Sequence, residues 1–195
     1  MRQWLWSAAL MPALLMGCAQ TQQAADTTVA AAKAQVNPTL STTDAGFMTT
    51  ATRGGIAEVQ MGRLAQQRGS SPAVRRLGER MVADHTRVNQ EMLTLAQQKQ
   101  ITPPDSMGAQ HQAMYDRLAG MRGRAFDRAF AQAMVADHQE DVEAFQTEAR
   151  DGTDPDVKAF AQRHLPLLQE HLQAAQRLEG TRTSARGATH SHSHR

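Results

Sequence analysis

Apolar residues recur at helical spacing through four long stretches, and each apolar stripe is interrupted by an ionisable side chain. The second stripe reads Val74, Gly78, Met81, His85, Val88, Met92, Leu95, with one imidazole at its middle. The last reads Val157, Ala161, His164, Leu168, His171, Ala175, Leu178, and the third Phe130, Met134, His138, Asp141, Phe145. The first, Phe47, Ala51, Gly54, Glu58, Met61, Ala65, carries a carboxylate. Two interruptions sit in copies of one pentapeptide: Met81-Val82-Ala83-Asp84-His85 recurs as Met134-Val135-Ala136-Asp137-His138. A charge on a buried stripe is costly unless it is paired or bound to a metal, so the pattern calls for a chemical explanation.

Punctuation between the stripes sets the elements. The spacing predicts helices over about 45–68, 72–100, 124–150 and 155–178, with a shorter piece over about 105–120. Ser71-Pro72 and Asp154-Pro155 each supply an N-cap followed by proline at the first helical position. Gly69-Ser70-Ser71-Pro72-Ala73-Val74-Arg75 matches Gly152-Thr153-Asp154-Pro155-Asp156-Val157-Lys158 at an offset of 83, which also superposes Glu58 on Asp141. Each pair of helices is joined by a tight turn, whereas about 20 residues connect the pairs. A helix of about 14 residues in that connection covers ~21 Å, enough to help carry the chain back along the bundle. The predicted fold is therefore all-α: a ferritin-like four-helix bundle with one long crossover containing a short helix.

Counting 1.5 Å per residue from the turns places Glu58, His85, His138, Asp141 and His164 within several Å of the bundle midplane, for a first helix ~36 Å long. His171 falls one heptad beyond His164, ~10 Å away in a different layer. Asp84 and Asp137, 100° off the seam, are expected in solvent or against a neighbouring helix, and His111 on the surface of the crossover helix.

Composition narrows the classes. Aromatic content is 4%, and both tryptophans, Trp4 and Trp6, precede residue 18, so the core must be Leu, Val, Ala, Met and a few Phe. A formal charge of +2 with interspersed signs argues against nucleic acid as a partner. Arg2 followed by an apolar run from Trp4 to Met16 reads as a signal peptide over residues 1–17, too short to span a bilayer. Leu15-Met16-Gly17-Cys18 resembles a bacterial lipobox, which makes Cys18, the single cysteine, the expected lipid attachment point. Ala19 after it points to an outer-membrane anchor facing the periplasm. Residues 18–44 then read as lipidated cysteine plus flexible tether, 45–178 as the helical domain, and 179–195 as a disordered tail ending in alternating histidines.

Gly54-Gly55-Ile56-Ala57-Glu58-Val59, the Met-Val-Ala-Asp-His of the second helix, Ala125-Phe126-Asp127-Arg128-Ala129-Phe130 with its downstream Asp-His, and Asp154-Pro155-Asp156-Val157-Lys158-Ala159-Phe160 occur in an order that resembles the bacterial domain-of-unknown-function 4142 family. The resemblance covers about residues 45–178. It implies a ferritin-like fold and an export signal, and it implies no particular activity.

Imidazole and carboxylate donors from four facing helices suit a divalent transition metal: Zn, Fe, Mn, Cu or Ni. The candidate ligands are Glu58, His85, His138, Asp141 and His164, with His171 as a lesser candidate. A di-iron oxidase is disfavoured, because the second and fourth helices lack Glu-x-x-His. Nothing in the chain marks catalytic residues, since no phosphate loop or Cys/His nucleophile pair is present. Two functional readings stay open. One is a metal-binding envelope lipoprotein with a role in metal handling or stress protection. The other is a metal-free helical interaction module, its inward polar groups hydrogen-bonded to one another.

Overall fold

The computed structural model describes residues 40–190, with side chains through residue 180. Five helices follow in order: α1 Thr42–Arg68, α2 Pro72–Gln98, α3 Gly108–Ala119, α4 Gly123–Asp151 and α5 Pro155–His190. The expected signal peptide, Cys18 and most of the tether fall within residues 1–39, outside the described residues, as do residues 191–195.

Local sequence explains most boundaries. Helix α1 begins three residues earlier than its apolar stripe indicates, because Ser41 and Asp44 form a reciprocal cap: Ser41 Oγ accepts from Asp44 N at 3.0 Å, and the Asp44 carboxylate accepts from Ser41 N at 3.4 Å. Ser71 caps α2 by accepting from Val74 N, with Pro72 at its first position. Asp154 caps α5 through Asp156 N and Val157 N. Helix α5 continues past Leu178, where its apolar stripe stops.

The two caps at the internal repeat also tie the bundle ends together. Asp127, at the start of α4, accepts from Ser70 N (2.8 Å), Ser70 Oγ (2.6 Å) and Ser71 N (3.1 Å) in the α1–α2 turn. Asp44, at the start of α1, accepts from Thr153 N (3.0 Å), Thr153 Oγ1 (2.6 Å) and Asp154 N (3.1 Å) in the α4–α5 turn. The two clasps are the same structure moved by 83 positions.

These clasps fix the topology. The start of α1 and the α4–α5 turn share one end, where Lys99 at the end of α2 also reaches Asp154 and Asp156, each at 2.7 Å. The start of α4 and the α1–α2 turn share the other. Helices α2 and α4 are therefore parallel, and residues 99–122, with α3 inside them, return the chain along the bundle. Helix α1 packs on α2 and α4, α5 on α4 and α2, and α3 lies against α1 and α4. The expected four-helix bundle with one crossover is the architecture found.

Where α1 crosses α2 the backbones touch. A Cβ on Gly62 would come within 2.8 Å of the Gly78 carbonyl, and one on Gly78 within 2.6 Å of the Gly62 carbonyl. The apolar interior is divided in two. One cluster, with Phe47, Met92, Phe145 and Phe160, fills the end holding the α4–α5 turn. The other, with Met61, Leu77, Phe126 and Phe130, fills the opposite end.

Beside the Asp44 clasp, Glu148 is buried, and burial, then the Asp44 carboxylate and a hydrogen bond to it, raise its pKa from 4.5 to about 7. The protonated acid is thus the form the fold favours. Stability contributed by that proton is complete below pH 4.5 and is lost as pH rises towards 7. Urea titrations across this window should show wild-type stability falling with pH and the Glu148→Gln slope flattened.

Candidate metal centre

Four side chains meet between the two apolar clusters, one from each long helix: Glu58 from α1, His85 from α2, His138 from α4 and His171 from α5. Their exposures are 0%, 2%, 0% and 0%. Glu58 Oε2 is 2.7 Å from His85 Nδ1, and Oε1 is 3.0 Å from His138 Nε2. Neither approach is a directed hydrogen bond, and both Glu58 oxygens and His138 Nε2 are buried without a hydrogen-bond partner. His85 Nε2 lies 3.2 Å from His171 Nδ1. The three ring centroids are 5.1–5.7 Å apart.

The outer partners fix most of the protons. His138 Nδ1 faces the Met134 carbonyl at 3.0 Å, so that nitrogen carries the hydrogen and Nε2 is bare. His171 Nε2 faces Asp84 Oδ2 at 2.9 Å, so it carries the hydrogen and Nδ1 is bare. Neutral His85 has one hydrogen left to place. On Nε2 it serves His171 and leaves Nδ1 to a protonated Glu58 Oε2, which strands bare His138 Nε2 against Oε1; on Nδ1 it leaves two bare nitrogens 3.2 Å apart. No arrangement of neutral imidazoles satisfies every atom. Adding a proton to His85 is opposed chiefly by burial, which lowers its pKa to about 4. Burial, then His85, lowers His171 likewise to about 4, and burial, then His85 and His171, lowers His138 well below its ordinary value. Burial, then Asp137, raises Glu58 well above the usual carboxylate range. The cluster has more lone pairs than protons, which is the condition a bound cation relieves.

Among the described residues, two three-residue groupings bring ligand atoms within 4.8 Å of one another: His85, His138 and His171, and Glu58, Asp137 and His138. The second adds Asp137, 4% exposed, whose Oδ2 also lacks a hydrogen-bond partner. Its Oδ1 is 3.1 Å from His111 Nε2, while His111 Nδ1 lies 3.0 Å from the Met107 carbonyl. With acceptors at both nitrogens His111 is an imidazolium. Its own burial is outweighed by the Asp137 hydrogen bond, and its pKa rises to about 9.

The structure alters the sequence-based set. His164, expected at the cluster, lies elsewhere: its Nε2 is 2.9 Å from Glu91, and its ring packs on Phe160 at 4.5 Å. His171, expected a layer away, is in the cluster. The reason is where α1 starts: from Thr42, Glu58 lies 16 residues, ~24 Å at 1.5 Å per residue, from the shared end, which is the height of His171, 16 residues into α5, whereas His164 is nine residues, ~14 Å, along. Asp141 sits on the edge of the site over Gly54, where an added Cβ would be 3.3 Å from its Oδ1. Burial, then Glu58, raises its pKa well above normal. Asp84 and His111 are not free surface groups, and Asp137 is buried. Asp84 holds His171 in its tautomer, as a carboxylate behind a ligating histidine does. Helix α3 covers the face of α4 beside the seam, which is why Asp137 turns inward. The only signal in the chain was the duplicated Asp-His pair.

The model of a family described as Domain of unknown function (DUF4142) matches residues 28–178. The chain belongs to this family. No curated protein matches it. Among solved structures, the DUF4142 chain is similar to a DUF305 fragment from Deinococcus radiodurans, with a TM-score of 0.64 at 13% identity, over 73% of this chain and 98% of that one. It is also similar to CopM in its Cu(II)-bound form, with a TM-score of 0.61 at 22% identity, over 71% of this chain and 96% of that one. At these identities the likeness establishes a shared helical-bundle fold.

Glu58 is the hinge of the cluster's proton shortage. In chelator, Glu58→Gln should match or exceed wild-type stability, by about 1 kcal/mol, the scale of one buried hydrogen bond. The urea midpoint measures it. A loss of several kcal/mol would show that the carboxylate is well satisfied as it stands.

Proposed function

We propose that this DUF4142 chain is a metal-binding module of the bacterial cell envelope that holds one divalent transition ion between its four long helices. His85, His138 and His171 supply nitrogen, and Glu58 supplies oxygen. The observation that carries the reading is the lone-pair excess in a buried pocket: with the imidazoles neutral, no placement of protons satisfies every atom, even with one on Glu58. Asp84 behind His171 and the Met134 carbonyl behind His138 orient the two rings, as is usual for ligating histidines. An imidazole-rich donor set suits Cu(II), Zn(II) or Ni(II) better than Mg(II) or Ca(II). The Cu(II)-bound state of the similarly folded CopM makes copper the first ion to try. Storage, transfer or sequestration of metal fits this set better than oxidase chemistry, for which the Glu-x-x-His motifs are missing.

The decisive measurement uses the chain with Cys18, His190, His192 and His194 replaced by serine, so that neither the thiol nor the tail contributes. Calorimetric titration with Cu(II) and Zn(II) should give one tight site. The double change His85→Leu/His138→Leu should abolish it and remove the effect of chelator on the melting temperature. Absence of any tight site would leave a hydrogen-bonded polar layer and favour the metal-free interaction module.

The address belongs to the same proposal. Cys18 carries lipid, and the segment after it tethers the bundle to the outer membrane on its periplasmic side; no described helix is long and apolar enough to cross a membrane. Cys18→Ser should move the protein from the membrane fraction to the soluble fraction, or leave an unprocessed precursor. A wild-type protein cleaved elsewhere and freely soluble would refute the anchor.

A further inference from the structure

The buried cluster needs a route from solvent, and its two ends differ. At the α2–α5 end, Asp84 backs His171, and Arg80 and Arg87 both approach Asp84 at 3.4 Å, with Arg80 also held 2.6 Å from Glu170. Asp84 is thus already engaged by two guanidiniums as well as by His171. The α1–α4 end opens differently. A pocket of about 100 Å³ lies under the crossover helix, walled by Thr50, Arg53, His111, Asp137, Glu140 and Asp141. A second pocket, beside Met114, Leu118 and Ala133, contains none of the cluster.

Asp137 belongs to both the pocket and the buried group. Its Oδ1 takes the His111 hydrogen bond, its buried Oδ2 has no hydrogen-bond partner, and its carboxylate lies in the grouping with Glu58 and His138. His138 in turn belongs to both groupings, yet it has a single bare nitrogen, because Nδ1 is committed to the Met134 carbonyl. One His138 therefore cannot serve an oxygen-rich seat (Glu58, Asp137, His138) and an imidazole seat (His85, His138, His171) as separate sites at once.

Resting on the metal-site reading above, we infer that a divalent transition cation enters through the pocket under α3 and is first held by Glu58, Asp137 and His138. It then passes to the three imidazoles, with His138 coordinating throughout. The order follows from position and chemistry. Asp137 is the donor that lines the pocket, and oxygen donors exchange a hydrated ion more readily than a sealed set of nitrogens that must shed its last waters. In this scheme His111 holds Asp137 aimed at the cluster from the crossover helix, and α3 is the roof of the entry rather than a passive connection.

Stopped-flow uptake of Cu(II), with Zn(II) as a second probe, tests this on the full chain with the tail histidines replaced by serine. Wild type should show a phase that depends on ion concentration followed by one that does not. Asp137→Asn should slow the first phase about tenfold or more, the scale of disturbing a donor close to a metal. Thr50→Trp, which fills the pocket mouth and alters no donor, should slow it similarly while final stoichiometry stays at one. Arg87→Ala, at the other end, should leave the rate unchanged. If Asp137→Asn and Thr50→Trp both load at the wild-type rate, or if Arg87→Ala accelerates loading while Thr50→Trp does not matter, entry under α3 is wrong and the buried site stands. Should wild type take up neither ion, the metal-site reading falls and this route with it.

Discussion

Everything at the centre of this bundle follows from placing one carboxylate and three imidazoles in a layer that water does not reach. An apolar layer there would have joined the two halves of the core into one. Instead the apolar clusters stop on either side, and Glu58, His85, His138 and His171 face one another with too few protons to satisfy them. Such a layer adds little to stability by itself and is retained where its donors have a use. The surrounding structure keeps the donors aimed: Asp84 and the Met134 carbonyl each claim one ring nitrogen and leave the other bare.

The frame that holds this layer is a duplicated one. Asp44 with Thr153 and Asp154, and Asp127 with Ser70 and Ser71, close the two ends by the same set of bonds. The donors do not follow the duplication. At an offset of 83, His85 corresponds to Leu168, His138 to Gly55 and His171 to Val88; only Glu58 finds an acidic counterpart, in Asp141. At Gly55 even a Cβ would lie 2.0 Å from Asn89 Oδ1, so any larger side chain in that half would have to displace Asn89. A symmetric scaffold thus carries an asymmetric site, and the crossover helix, which has no counterpart, deepens the asymmetry by delivering His111 to Asp137.

Much was determined by the chain alone. Helical periodicity, the Ser-Pro and Asp-Pro caps and the repeat specified four long helices, the tight turns within pairs and a crossover between them, because these are short-range signals that tertiary packing had no reason to override. The same seams placed Glu58, His85 and His138 in the interior, since a residue on the apolar stripe of a packed helix has nowhere else to point. Which of two histidines on α5 completes the layer was not determined. His164 and His171 share a stripe, and the choice depends on where the midplane falls, a matter of a few Å set by the whole length of helices that start at caps such as Ser41. The roles of Asp84, Asp137 and His111 were likewise decided only by assembly. Their burial and partners come from a neighbouring helix laid over a face that, in α2, α3 or α4 taken alone, is the solvent side.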